Sequence, residues 1–135
     1  MKELTVQAVI ENIPEVTAFV NGHLEALDCP MRAQMQIDVA IDELFGNIAH
    51  YAYPQGTGEA TVGVEFDADT RVVSVTFTDS GIPFDPLQKS DPNVALSAEE
   101  REVGGLGIFM VKKTMDQIRY RFENGRNILT ICKKI

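Results

Sequence analysis

Two pairs of alternating segments restrict the fold more than any other feature of this sequence. Residues 60–66 (ATVGVEF) and 71–79 (RVVSVTFTD) alternate apolar and polar side chains on either side of a short turn, which predicts a β-hairpin. Residues 117–123 (QIRYRFE) and 126–134 (RNILTICKK) predict a second hairpin around an Asn-Gly turn. Because hairpins pair their strands antiparallel, we expect a mixed or mainly antiparallel sheet and not a doubly wound parallel one.

Three segments with helical periodicity accompany these hairpins. Residues 11–28 carry an apolar stripe at helical spacing, residues 31–52 form a second helix after Pro30, and residues 106–116 form a third. Residues 3–10 favour an additional strand. The predicted order is β, α, α, β, β, long loop, α, β, β. With three helices covering one face of the sheet, this order predicts an α+β two-layer sandwich.

Composition and charge exclude several classes of protein. The 135 residues predict one domain over 1–135. No apolar run is long enough to span a membrane, and the N-terminus lacks a cleavage site, so we expect a cytoplasmic protein. A net charge of −8 argues against direct binding of nucleic acid and suits a basic protein surface. Cys29 and Cys132 have no companions at metal-binding spacing and are interpreted as reduced, packed thiols.

The second helix carries a polar edge within a segment that otherwise favours burial. In residues 41–54 (IDELFGNIAHYAYP), Glu43 and Asn47 lie about 40° apart around the helix, and His50 falls beside them. A carboxamide oxygen suits Mg²⁺, and a carboxylate can accept a proton from a hydroxyl nucleophile. The helix alone leaves two interpretations open: a solvated edge, or a site that divides these two tasks.

A carboxylate ends the strand of residues 71–79. Asp79 has the same parity as Val73, Val75 and Phe77, so it points toward the core side of the sheet. A carboxylate in that position needs a partner, and an exocyclic amine such as that of adenine would provide one. An Asx turn, in which Asp79 accepts from its own backbone, is the open alternative.

A glycine cluster precedes and opens the third helix. Gly104, Gly105 and Gly107 let backbone N–H groups approach an anion at a helix N-terminus, which suits a polyphosphate. A tight turn alone would also use glycines, and no Walker lysine follows. The long loop before them, at about 82–104, is interpreted as a lid, because a loop of this length inside a compact domain is usually functional.

In combination and order, these three motifs resemble the N, G1 and G2 boxes of the Bergerat-fold ATP-binding superfamily, which histidine kinases and gyrase-type ATPases share. Within it, the segments DELFGNIAHYAYP, DSGIPFDP and GGLGIFMVKKTMDQIRY are most similar to the bacterial anti-sigma factor serine/threonine kinases. The resemblance covers nearly the whole chain.

The resemblance implies a role for each matched position. Glu43 would be the general base and Asn47 the Mg²⁺ ligand. Asp79 would bind the adenine amine, and Gly81 would let the base approach. The phosphates would be held at the start of the third helix by Gly104, Gly105, Leu106, Gly107 and Ile108.

Four further positions follow from the same resemblance. Thr130, on the last strand, lies where the superfamily often has a threonine near the adenine. Arg101 is the nearest candidate for the arginine that these kinases place directly before the lid glycines, so its position departs from the pattern. His50 and Tyr53 match the end of the N box and would shape the floor of the pocket.

The implied function is that of an ATP- and Mg²⁺-dependent regulator. It would phosphorylate a serine or threonine of an antagonist protein and sequester a sigma factor or a related partner. The shifted Arg101 keeps an alternative open, a nucleotide-dependent protein-binding module with little or no kinase activity. A histidine kinase catalytic domain fits less well, because no upstream helix pair carries a phosphoacceptor histidine. Many relatives form homodimers through the first strand and helix, which the sequence leaves open here.

Overall fold

A computed structural model describes residues 1–88 and 105–135, and for Gly105 and Leu106 the backbone alone. The strands in these ranges are β1 (Lys2–Gln7), β2 (Glu59–Asp67), β3 (Val72–Asp79), β4 (Gln117–Glu123) and β5 (Arg126–Lys134). The α-helices are α1 (Ile13–Ala26), α2 (Met31–Tyr51) and α3 (Gly105–Thr114). This is the predicted order of elements, with short 3-10 turns added at Ile10–Asn12 and Pro86–Gln88.

The strands form one sheet in the order β1-β2-β3-β5-β4, and each neighbouring pair in it is antiparallel. The β2–β3 and β4–β5 hairpins are those that the alternating patterns predict. Pairing of β3 with β5 joins the two hairpins and places Asp79 directly opposite Asn127. The predicted α+β two-layer sandwich is confirmed.

The helices cover one face of this sheet, and the core lies between the two layers. Alternate strand residues point inward, as the period of two requires. They pack against the apolar stripes of the three helices, whose largest fully buried side chains are Val16, Val20, Leu24, Ile37, Ile41, Phe45 and Val111. None of the helices in the described ranges is long and apolar enough to cross a membrane.

The opposite face of the sheet carries hydroxyl side chains. The Oγ1 atoms of Thr5 and Thr61 are hydrogen-bonded at 2.8 Å across β1 and β2. Those of Thr76 and Thr130 are hydrogen-bonded at 3.1 Å across β3 and β5. The face that bears these threonines is therefore separated by the sheet from everything that α2 and α3 contribute.

Candidate functional site

A cavity opens between α2 and the ends of the central strands β3 and β5. Its walls are largely apolar, and four polar side chains reach it. The apolar residues are Leu44, Ile48, Ala52, Phe77, Phe84, Pro86 and Leu129; the polar ones are Asn47, Asp79, Tyr120 and Asn127. An apolar slot with a few converging polar groups is the usual form of a small-molecule site.

Asp79 is the buried carboxylate of this cavity, with 5% of its surface exposed. Its Oδ1 accepts hydrogen bonds from the backbone N–H of Gly81 and from Nδ2 of Asn127, both at 2.9 Å. The first of these contacts is the Asx turn that the sequence allowed. Because both donors use Oδ1, the turn leaves Oδ2 for a ligand, so the two interpretations of Asp79 are compatible.

Gly81 is required by a close backbone approach. A Cβ added there would lie 2.2 Å from the carbonyl oxygen of Ala52, and the N–H of Ile82 donates to that same oxygen at 2.9 Å. The end of β3 thus docks on the carboxyl end of α2. The space that the missing side chain leaves is occupied by α2 backbone, a different reason for glycine from the expected approach of a bound base.

Replacing Gly81 with alanine should lower the free energy of unfolding by about 1–3 kcal/mol, because the new methyl group meets a backbone carbonyl that cannot rotate away. Urea denaturation measures the change. Gly56→Ala is the matched control, since nothing lies within 4 Å of a Cβ at that position. Equal stability of the two variants would contradict the close approach.

Tyr53 braces the segment behind the cavity without lining it. Its hydroxyl donates to the carbonyl of Glu59 at 2.6 Å and accepts from the N–H of Ser80 at 2.9 Å. Burial raises the pKa of Tyr53, so the phenol remains a donor at neutral pH. The side chain of His50 is exposed. The expected pocket floor is therefore not formed by these two residues, since apolar side chains such as Leu44 and Ile48 line the cavity instead.

Glu43 and Asn47 lie on the same side of α2, one helical turn apart, a rise of about 6 Å. Asn47 lines the cavity. The carboxylate of Glu43 lies against the first turn of α3, where a Cβ added to Gly107 would be 2.1 Å from Oε2. Absence of a side chain at Gly107 therefore makes room for the Glu43 carboxylate beside the amino end of α3.

The described part of the glycine motif forms the first turn of α3. The helix begins at Gly105, and Ile108 turns its side chain into the core with 2% exposure. Ile108 therefore offers a ligand its backbone alone. Gly104 and Arg101 lie outside the described residues, as does most of the predicted lid, so these assignments stay predictions.

Thr130 does not reach the cavity. It hydrogen-bonds Thr76 on the face of the sheet that the helices leave uncovered, so its predicted position near the adenine is wrong. The physical reason is parity: Asn127 and Leu129 share the face of Asp79, and Thr130 falls between them. The residue that the sequence reasoning missed is Asn127, which occupies the inward position opposite Asp79.

The side-chain oxygens of Glu43 and Asn47 on α2 suit a metal ion only if a bound phosphate and water molecules supply its other ligands. No group of three His, Cys, Asp or Glu side chains is assembled within residues 1–88 and 105–135. Mg²⁺ in phosphoryl-transfer sites takes one or two protein oxygens, and its other ligands are phosphates and waters. Asn47, with Glu43 one turn away, matches that requirement and not that of a cage made by protein alone.

An antiparallel α+β sandwich with a buried carboxylate and an amide side chain in one apolar slot, and with a glycine-opened helix packed against the helix that carries the amide, is typical of a class of ATP-binding domains. The chain matches the histidine kinase-like ATPase domain family over residues 6–133. It belongs to that family, whose nucleotide is ATP.

Comparison with individual proteins identifies the kind of family member that the chain most resembles. The serine/threonine-protein kinase BtrW of Bordetella bronchiseptica is 28% identical over 100 residues, which cover 74% of this chain and 70% of BtrW. The anti-sigma F factor of Pasteuria penetrans is 23% identical over 134 residues, or 98% of this chain and 89% of that factor. The serine-protein kinase RsbW of Listeria innocua is 26% identical over 97 residues, or 69% of this chain and 61% of RsbW. The resemblance to the anti-sigma serine/threonine kinases is confirmed.

Proposed function

We propose that this protein is an ATP-dependent protein kinase of the anti-sigma type. It phosphorylates a serine or threonine of an antagonist protein. When it is not bound to that antagonist, it sequesters a sigma factor or a similar regulator. The observation that carries the proposal is the grouping of Asp79, Asn47 and Glu43 around α2. Asp79 and Asn47 line one cavity, and Glu43, one helical turn before Asn47, rests against Gly107 at the start of α3.

The part of the cavity around Asp79 suits a purine. Its carboxylate is held in a slot with apolar walls, where a planar base replaces water. The exocyclic amine of adenine donates to a carboxylate oxygen, whereas the carbonyl that guanine carries at that position would repel it. Adenine therefore satisfies a buried charge that otherwise costs free energy.

The Glu43 carboxylate and the start of α3 suit transfer of a phosphoryl group to a hydroxyl. The amino end of α3 attracts negative charge, so phosphates extending from the slot meet the backbone N–H groups of the residues around Gly107. When bound, Mg²⁺ would neutralise phosphate charge, with Asn47 as its protein ligand. Glu43 orients the incoming serine or threonine hydroxyl and accepts its proton.

The partners are inferred from the relatives and from charge. Two of those relatives are named as serine or serine/threonine kinases, and a third as an anti-sigma factor. The net charge of −8 favours a partner with a basic surface. We place the activity in the cytoplasm, in a single domain over 1–135. Homodimerisation remains a property to measure, by light scattering.

Mass spectrometry after incubation with Mg-ATP tests the proposal. The substrates are the antagonist-type proteins encoded in the same genome, each purified and added singly. We expect one phosphoserine or phosphothreonine on one antagonist, formed only with both proteins and ATP present. Calorimetry on the same protein should show ATP binding that Asp79→Ala abolishes.

Three outcomes separate the candidates. Phosphorylation of an antagonist supports the kinase. Binding of ATP and of a partner, with no phosphoprotein from any antagonist, would favour the nucleotide-dependent binding module instead. Absence of ATP binding by the wild-type protein would overturn both functions.

A further inference from the structure

Asn127 uses its whole hydrogen-bonding capacity within the cavity wall. Nδ2 donates to Oδ1 of Asp79 at 2.9 Å and to the carbonyl of Ile82 at 2.8 Å. Oδ1 accepts from the N–H of Phe84 at 3.0 Å and from the hydroxyl of Tyr120. Because a backbone N–H only donates and a backbone carbonyl only accepts, these four contacts permit one orientation of the amide.

This arrangement fixes the rotation of the Asp79 carboxylate. Oδ1 of Asp79 accepts from Gly81 on one side and from Asn127 on the other. Oδ2 accepts no hydrogen bond from any residue in the described ranges, and Asp79 lines the cavity. The amide of Asn127, together with the N–H of Gly81, thereby determines which carboxylate oxygen is left for a ligand.

The same amide also holds one wall of the cavity. It binds the backbone at both Ile82 and Phe84. Phe84 lines the cavity and stacks on Tyr51, with ring centroids 5.3 Å apart and an interplanar angle of 29°. Burial raises the pKa of Tyr120, so its phenol stays protonated as a donor to Asn127.

We propose that Asn127 is the positioning residue that gives this cavity its preference for a 6-amino over a 6-oxo purine nucleotide. The inference rests on the proposed function, in which Asp79 binds the adenine amine. With the carboxylate held by Asn127, Oδ2 accepts from an amine and opposes a carbonyl at the same point. If Asn127 cannot donate, the carboxylate rotates or recruits water, and the penalty against a carbonyl falls.

The test compares binding of ATP and ITP, which differ at the 6-position and the adjoining ring nitrogen. The variant is Asn127→Asp, which keeps the shape and both acceptor contacts but replaces the group that donates to Asp79 and to the Ile82 carbonyl with a carboxylate oxygen. At about pH 8 the two carboxylates repel each other, and we expect the ATP-over-ITP preference measured by calorimetry to fall at least about tenfold.

Measuring the ATP-over-ITP preference at lower pH provides a second test. The preference would not recover at lower pH if Asn127 only supported the fold. Two adjacent carboxylates share a proton as the pH falls, and that proton restores a donor between residues 127 and 79. We therefore expect the preference of Asn127→Asp to recover toward the wild-type ratio as the pH is lowered. The wild-type ratio should change little, because the phosphates of the two nucleotides titrate alike and both bases stay largely neutral in this pH range.

Two further variants keep the test decisive. Tyr120→Phe removes one donor to Asn127 and keeps the ring, so it should lower the preference several-fold even if Asn127→Asp folds poorly. Thr78→Val changes the residue beside Asp79 on the uncovered face of the sheet, and it should leave the ratio unchanged.

The outcomes distinguish this inference from the proposed function. A wild-type protein that binds neither nucleotide would overturn the function itself. A selective wild type whose Asn127→Asp and Tyr120→Phe variants keep the full preference would overturn the role of Asn127 alone. Equal loss of affinity for ATP and ITP in these variants would also overturn it, since it would mean support of the fold without selection of the base.

Discussion

Replacing Glu43 with glutamine should slow phosphoryl transfer by about 10²- to 10⁴-fold, the usual contribution of a general base. ATP binding should stay within about twofold of wild type. Glutamine has the shape of glutamate, so it fits the same space beside Gly107. It still orients a hydroxyl through its amide oxygen but does not take up the proton. The loss should therefore appear in the transfer step.

Single-turnover kinetics with saturating Mg-ATP and the antagonist isolate this step, and calorimetry reports the ATP affinity separately. Asp42→Asn is the matched control: it neutralises the neighbouring acid of α2, whose side chain is exposed, and should transfer phosphate at the wild-type rate. If Glu43→Gln transferred the phosphoryl group at the wild-type rate, Glu43 would not be the general base. A parallel loss of ATP affinity would assign it to binding instead.

Much of the fold could be predicted because periodicity records which way side chains face. The alternation in residues 71–79 puts Asp79 on the face of Val75 and Phe77, and the structure buries all three. Helical spacing likewise predicts Glu43 and Asn47 on one side of α2. Facing within one element is a local property, so the sequence alone carries it.

Contacts between elements could not be predicted in the same way. Asn127 lies 48 residues from Asp79 along the chain, and the two meet because β5, and not β4, pairs with β3. Neither hairpin pattern determines that choice, since it depends on how the two hairpins join into one sheet. The resemblance that implied Thr130 does not take account of the strand parity that places Asn127 inward. Asn is also not a residue that an alternating apolar pattern would indicate as buried.

The same limit applies to the two glycines of the site. Sequence reasoning assigned Gly81 and Gly107 to the approach of a ligand. In the structure, the place of a side chain at Gly81 is taken by the Ala52 carbonyl, and at Gly107 by the Glu43 carboxylate. Both approaches depend on how α2 packs against its neighbours. The nature of the neighbour, rigid backbone or flexible side chain, then decides what a substitution does.

Gly107→Ala should slow phosphoryl transfer by about 10²-fold, the cost expected when a catalytic group moves by about 1 Å. An added Cβ would lie 2.1 Å from Oε2 and 2.3 Å from Cδ of Glu43, so the carboxylate must turn away. The displaced atoms are the far end of a flexible side chain and not backbone. The higher helix propensity of alanine also offsets part of any contact that Glu43 loses. Thermal unfolding should therefore show a midpoint close to that of wild type.

Gly22→Ala provides the control for helix propensity. It makes the same substitution within α1, where nothing lies within 4 Å of the new Cβ. We expect higher stability and an unchanged transfer rate. A slowed Gly107→Ala beside an unaffected Gly22→Ala would attribute the loss to position and not to a stiffer helix.

A double-mutant cycle identifies the group through which Gly107→Ala acts. If the methyl group slows transfer by displacing the Glu43 carboxylate, then little remains to be lost once that carboxylate has become an amide. The Gly107→Ala/Glu43→Gln double variant should therefore transfer about as slowly as Glu43→Gln alone, because residues in contact are strongly non-additive. Additive losses would mean that the methyl group obstructs the phosphates directly, and that the space at Gly107 serves the nucleotide more than the base.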